Sequence, residues 1–490
     1  MSNFANAMKN KSNWTATQNG AAVKSTTGSS LLNLFARVGG MRNASDTELI
    51  RMWRDARNEN EELADNLVLY ARDVRAGGIG ERRIARILLK ELAKINPDKV
   101  GRNLDTIVEA GRWDDLFVLE GTRVWNAVLT FIHDQFSCDI KDMVENKPIS
   151  LLAKWMPSCN TSSAETRRLA RVFIQASGLN EKRYRKALSA MRKYLDVVEK
   201  KMSAREFGSI DYEKVPSLAM TRYRSSFGRH DYERFDAYIN AVVKGDAKIN
   251  SSVLYPYDLT KPYVEPYHRR GTTCDPVIEE QWKALPNYID GEYDVVCLCD
   301  VSGSMMGQPM ATSVGLGVYF AEHNKGAYKN MVMSFTDYPS FYELNPSDSL
   351  ATRVSQILSH SGLNTNLDLA FDEIYKIAKQ TCEVPAALIV ISDGELDYYA
   401  QRLENRGSSY EDIAEKWQAK YRSIGLEAPK LIMWNVNSFG NRFITGMENR
   451  GVAYVSGSSA ATFKELLTLI TSDAYTAMTE ILSRPAFCWK

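Results

Sequence analysis

The chain has 490 residues, 44% of them hydrophobic, and a formal net charge of +1, enough apolar material for two or more domains with cores of their own. No window approaches 18 consecutive apolar residues, and "MSNFANAMKNKSNWTATQNG" has no apolar run after its basic residues, so neither a membrane span nor a secretory signal is expected. Seven scattered cysteines without a Cys-x-x-Cys pair argue against a disulfide framework or a zinc knuckle and for a reducing, cytoplasmic setting.

The charge is unevenly distributed. Residues 1–290 carry +8, residues 291–400 carry −9 and residues 401–490 carry +2. A basic front part suits an anionic partner, and an acidic later part suits a cation site.

In chain order, residues 1–29 are polar and read as a flexible N-terminal segment. From 30 to 250 amphipathic helices follow one another. "ASDTELIRMWRDARNENEELADNLVLYARDVR" opens with Ser45 and has Glu48 three residues on, the capping-box pattern, and then apolar residues at helical spacing. "ERRIARILLKELAKI", "TRVWNAVLTFIHDQF", "ETRRLARVFIQAS", "KRYRKALSAMRKYLDVVEKKM" and "ERFDAYINAVVKG" continue in the same manner, like an α-solenoid of helix pairs without an exact repeat. Residues 251–290 hold Pro256, Pro262, Pro266, Pro276 and Pro286 and read as a proline-rich connector, poor as helix or central strand. Beyond it, over 291–490, the short β-rich runs "YDVVCLCD", "NMVMSF", "AALIVIS", "KLIMWNV" and "GVAYVSG" alternate with helical segments. This predicts a doubly wound α/β domain.

In such a sheet ligands bind beyond the carboxyl ends of the strands. There "VVCLCDVSGSMMGQPM" places Asp300, Ser302 and Ser304, with Gly303 permitting a tight turn. "ISDGE" places Asp393 at a second strand end, and "SHSGLNTNLD" offers Thr365 before a helix. Carboxylates and hydroxyls are hard oxygen ligands, suited to a divalent cation such as Mg²⁺, with Mn²⁺ or Ca²⁺ as alternatives, rather than to zinc.

These five residues resemble the metal-ion-dependent adhesion site (MIDAS) of von Willebrand factor A domains. The resemblance implies that Ser302 and Ser304 coordinate the metal directly, with Thr365, Asp300 and Asp393 bound directly or through water. Many members have Gly-Gly before the threonine; this chain has Leu363 and Asn364. The front half, through "RAGGIGERRIARILLKELAKINPDKVGRNLDTIVEAGRWDDL", "LLAKWMPS" and "KRYRKALSAMRKYLDVVEKKM", resembles the helical-repeat domain of the TROVE group of Ro autoantigen-like proteins, and more closely a bacterial and phage branch with the same two-part layout. The two resemblances together cover about 30–490. They imply a HEAT-like ring of helices closed by the A domain, in a monomeric cytoplasmic ribonucleoprotein that binds small noncoding or misfolded RNA.

The residues themselves support RNA through charge. Residues 161–240 carry 17 Lys/Arg against 10 Asp/Glu. Arg167, Arg168 and Arg171 are spaced to share one helical face, Arg183, Arg185, Lys186 and Arg192 follow among Tyr184 and Tyr194, and Arg222, Arg224 and Arg229 surround Tyr223. Cations can neutralise phosphates while aromatic rings stack on unpaired bases. A solvated helix face with tyrosines in the core is the plainer alternative. "AGGIGERR" precedes a helix and could receive an anion, but lacks the P-loop lysine, so a turn is the better reading. The five histidines are dispersed and no Gly-x-Ser-x-Gly elbow occurs, which leaves hydrolase chemistry without support. The expectation is a non-enzymatic RNA-binding scaffold. The alternative is a metal-dependent protein-capture or assembly module whose partner supplies an acidic side chain to the metal.

Overall fold

The computed structural model describes residues 13–16, 22–265, 273–287, 294–335, 339–360, 367–394, 413–438, 440, 442–459, 462 and 466–490. The chain is mainly helical, with a six-stranded mixed sheet in its C-terminal part, as the sequence predicts. It divides into two compact units, 1–84 with 251–487, and 85–250 with 488–490.

The first unit starts with an antiparallel pair, β1 (Trp14–Ala16) and β2 (Ala22–Lys24), so the expectation of a flexible 1–29 segment does not hold for these residues. Asn13 Oδ1 accepts from the Thr26 amide at 2.9 Å, and Lys24 bridges to Phe443. Helices α1 (Ser30–Val38), α2 (Asp46–Glu59) and α3 (Glu61–Arg72) follow. Each is capped as its sequence prescribes, by Ser29, Ser45 and Asn60 accepting the amide of the third helical residue. Residues 31–38 of α1 are all buried, a pattern that two-sided packing requires and that one repeat of a helical array would not supply. The partner is the sheet: Ser456 Oγ donates to the Phe35 carbonyl at 3.0 Å and accepts from the Gly39 amide at 2.9 Å. The helical region expected over 30–250 is therefore divided at residue 84, with its first three helices in the unit of the sheet.

The second unit takes up most of α4 (Arg82–Ile95), then α5 (Pro97–Arg102), α6 (Leu104–Ala110), a 3-10 turn (Trp113–Leu119), α7 (Trp125–Val144), α8 (Leu152–Trp155), α9 (Ala164–Ala176), α10 (Glu181–Tyr194), α11 (Val198–Ser203), α12 (Ser217–His230) and α13 (Tyr232–Lys244). Phe136, Phe173 and Tyr184 form one aromatic core, with ring centroids 5.7–5.8 Å apart. Tyr212, Phe227 and Phe235 form another, at 5.0–5.5 Å.

Back in the first unit, the expected connector contains two helices, α14 (Pro256–Val264) and α15 (Pro276–Lys283). Pro256 and Pro276 occupy first-turn positions, where the missing amide would have had no helical partner. Two of the five prolines that argued against helix are therefore helix starts, and Pro262 lies inside α14. The remaining elements are β3 (Val295–Cys299), α16 (Gln308–His323), β4 (Met331–Ser334), β5 (Phe341–Glu343), α17 (Leu350–Ser359), α18 (Leu367–Thr381), β6 (Ala387–Ser392), α19 (Ile413–Arg422), β7 (Lys430–Asn435), β8 (Val452–Ser456), α20 (Leu466–Thr471) and α21 (Ala474–Leu482). Sheet order is β5-β4-β3-β6-β7-β8, parallel except for the edge strand β5. Every residue of β3 and β6 is buried, which is why both read as unbroken apolar runs. The chain builds outward from β3 in one direction, returns, and builds outward from β6 in the other. The crevice of the sheet thus lies between β3 and β6.

Two glycines let α16 seat closely. A methyl at Gly315 would lie 3.0 Å from the Pro256 carbonyl carbon of α14, and one at Gly317 would lie 2.2 Å from Cys299 Sγ on β3. Gly317→Ala should therefore lower stability by about 1–3 kcal/mol through overpacking. Adding Cys299→Ala, which clears the clash, should restore part of the loss in urea unfolding.

Candidate metal centre and nucleic-acid interface

Asp300 follows β3 and Asp393 follows β6, so the crevice between the two strands brings two carboxylates together, 0% and 2% exposed. Neither has water to solvate it. The Ser302 amide donates to Asp300 Oδ1 at 2.9 Å and Ser392 Oγ to Asp300 Oδ2 at 2.7 Å. Ser302 Oγ and Ser304 Oγ lie 3.1 Å apart on the turn that follows, with Ser304 exposed. Burial, and secondarily the Asp393 charge, push the Asp300 carboxyl up to about 6 against the hydrogen bonds that hold it down. Gly394, at φ 83°, turns the chain sharply after Asp393, and its amide donates to Ser392 Oγ at 3.2 Å. Thr365 lies outside the described residues.

Three neighbours escaped the sequence reading. Ser392 holds Asp300, as above. Asn435 ends β7, and its Oδ1 is buried without a hydrogen-bond partner among the described residues. Arg442 shares a small cavity with Ser392, Gly394 and Asn435. Burial lowers its guanidinium, partly offset by the Asp393 carboxylate. Ser392 and Asn435 were legible by the same signal as Asp300, a polar residue closing an apolar strand run. Arg442 was not, because it comes from a loop with no pattern. Two carboxylates and two hydroxyls at one strand crevice are a donor set that fits a hard divalent cation. No cluster of three or more His, Cys, Asp or Glu occurs among the described residues.

In the helical unit the structure sorts the predicted cations into two groups. Several are committed within the fold. Arg167 donates to the Thr161 and Ser162 carbonyls at 2.5 and 2.9 Å. Arg168 is paired with Glu120 and Glu165 at 2.5 and 2.7 Å. Arg192, half-buried, donates to the Ala153 and Met156 carbonyls and Ser158 Oγ at 2.7–2.8 Å. Arg224 donates to the Thr221 carbonyl. The other group is exposed: Arg171 on α9, Arg183, Arg185 and Lys186 on α10, Arg222 and Arg229 on α12. Of these, Arg185 is 3.8 Å from Glu181, and the rest make no ion pair among the described residues. Tyr184 is fully buried with its hydroxyl on the Pro157 carbonyl at 2.6 Å, and Tyr223 is half-buried against Glu199, so Tyr184 is core rather than a stacking platform.

The glycine-rich "AGGIGERR" loop is a turn. Its cradle is filled from within, since Asp73 Oδ2 accepts from the amides of Arg75, Ala76 and Gly78 at 2.7–3.1 Å. Among the described residues no helix is long and apolar enough to cross a membrane.

Comparison with known proteins adds relatives whose own roles are unassigned. Residues 123–291 match the family described as "Domain of unknown function (DUF2828)", and residues 294–481 the one described as "Domain of unknown function (DUF7788)". The chain is 27% identical over 496 residues to uncharacterized protein L728 of Acanthamoeba polyphaga mimivirus, covering 92% of this chain and 84% of that protein. Among solved structures it is similar to the Deinococcus radiodurans RO (RSR) protein, with a TM-score of 0.47 and 16% identity over 93% of this chain and 99% of that one.

Proposed function

We propose that the protein is a non-enzymatic RNA-binding scaffold whose helical unit grips phosphates and whose α/β unit carries a divalent-cation site, Mg²⁺ by preference. The observation that carries the RNA reading is the set of exposed cations without ion-pair partners among the described residues, Arg171 with Arg183 and Lys186, on the consecutive helices α9 and α10. Such side chains are free to exchange counterions for phosphates. The resemblance of this segment to the TROVE group points the same way, toward small noncoding or misfolded RNA. The test is filter binding of a structured RNA with a single-stranded end from 50 to 300 mM salt. A steep loss of affinity is expected, and binding indifferent to salt would refute the phosphate grip.

In the cation site Asp300, Ser302, Ser304 and Asp393 would hold the ion. When bound, it would supply a positive charge against two buried carboxylates and an open position for a ligand oxygen. A second reading, capture of a protein through an acidic side chain, is favoured by the surface over this site: Ser304 is exposed and Met306 beside it is 67% exposed. The two readings separate on substitution. Asp300→Ala should leave RNA affinity within about twofold of wild type and abolish Mg²⁺-dependent protein capture, because carboxylate and phosphate grips lie in different units.

A further inference from the structure

The helical unit contains an open cleft of about 710 Å³, a volume typical of ligand sites, that the cation surface and the carboxylate site leave unexplained. Its apolar wall is formed by Ile87, Phe117, Val118, Trp155 and Leu169, each only half-buried. These side chains face the cleft with surface that a core would have covered. Trp155 is held in place from elsewhere: the Arg112 guanidinium lies 4.3 Å from its ring centroid and Lys154 Nζ 5.7 Å, and neither residue lines the cleft.

The acids around the wall are all engaged within the fold, the two glutamates on a single arginine. Asp114 is paired with Arg86 at 2.7 Å, and Glu120 and Glu165 with Arg168. Lys90, exposed at the rim and without an ion pair among the described residues, offsets the one negative charge that two glutamates on a single arginine leave over, so the cleft is close to neutral. A near-neutral aromatic slot with one exposed lysine at its rim matches a planar uncharged ring that carries a phosphate, and matches a charged peptide poorly.

The cleft also adjoins the exposed cations. Ser158 lines it, and the next residue, Cys159, lies within electrostatic reach of Glu181 and of the two cations Arg185 and Arg171. A strand whose phosphates follow Arg171 would thereby pass near the cleft mouth. We infer that the cleft takes an unpaired base of a bound single strand, stacked on Trp155 with its phosphate beside Lys90. This rests on the RNA reading and adds to it the requirement for an unstacked base.

The experiment measures fluorescence anisotropy of the full chain with a labelled single-stranded oligoadenylate and with a blunt RNA duplex of the same length, each across a salt series. Trp155→Ala should weaken single-strand binding about 5- to 150-fold. Its salt slope should stay unchanged, duplex binding should be unaffected, and Trp155→Phe should retain most of the affinity. Val118→Trp, which fills the cleft and keeps the Trp155 packing, should reproduce the loss, and it decides the matter if Trp155→Ala fails to fold by circular dichroism. If both variants bind the single strand as wild type does while binding remains salt-dependent, the cleft is not a base site and the RNA reading stands without it. If wild type binds neither RNA, both are overturned. If Trp155→Ala weakens single strand and duplex equally, the cleft acts through the fold and base stacking is rejected.

Discussion

Reversing three charges together, Arg171→Glu, Arg183→Glu and Lys186→Glu, should lower affinity for a single-stranded RNA on the order of a hundredfold at physiological salt. Each lost phosphate contact is charge-assisted and worth about 1 kcal/mol or more, and about 3 kcal/mol in total is roughly a hundredfold. The logarithmic salt slope should flatten by about 2, since each single-strand phosphate contributes roughly 0.7. All three side chains are exposed, so circular dichroism should be unchanged. Arg168→Ala provides the contrast. Its guanidinium is shared between Glu120 and Glu165, so its removal should leave the salt slope unchanged, and any loss of affinity should come from the two carboxylates it leaves at the cleft. Arg192→Ala should act through stability, because three acceptors lose their donor inside the fold. Equal RNA binding by the triple reversal and wild type at low and physiological salt would reduce these helices to a solvated face. Protein capture at the carboxylate site would then become the leading reading.

Saturating Mg²⁺ should raise the thermal midpoint of the full chain by several degrees, because a ligand at 100 times its Kd stabilises the folded state by about 2.7 kcal/mol. Asp300→Asn should abolish that response. The same substitution should leave the metal-free protein as stable as wild type or more so at pH 7, since it removes one of two buried charges that repel each other. The pH dependence follows from the sign of the shift. Asp300 is raised in the folded state, to about 6, so the folded chain holds a proton that the unfolded chain has already released. Metal-free stability should therefore fall as pH rises from the ordinary carboxylate range through about 6. Protons and Mg²⁺ compete for the same oxygen, so the Mg²⁺ response should be full above that range and fade as pH falls through it. An undiminished Mg²⁺ response in Asp300→Asn would place any bound ion elsewhere.

The carboxylate site was largely legible in the sequence for a physical reason. A parallel strand buried on both faces is an unbroken apolar run, and the first polar residue after it marks the carboxyl end where such sheets bind ligands. Asp300 after "VVCLC", and Ser392 with Asp393 after "ALIVI", follow that rule. Helix starts were legible for an equally local reason, because a cap is a bond between residues three apart, as Ser45 with the Glu48 amide shows. Partnership across distance was not legible. Helical spacing puts Arg168 and Arg171 on a shared face, yet only the fold brings Glu120, 48 residues earlier, against the first and leaves the second exposed, with no ion pair among the described residues. Tyr184 and Tyr194 look alike in a basic helix, and packing against Phe136 and Phe173 buries one while the other stays exposed. Prolines 256 and 276 spoke against helix until their first-turn positions were known, and α1 joined the expected solenoid until the sheet covered its second face. The sequence alone therefore determined which residues close the buried strands and which cap the first helices, where the governing contacts are local. Tertiary structure decided which charges are spent and which remain for a partner, because an ion pair or a buried ring depends on residues that only folding brings together.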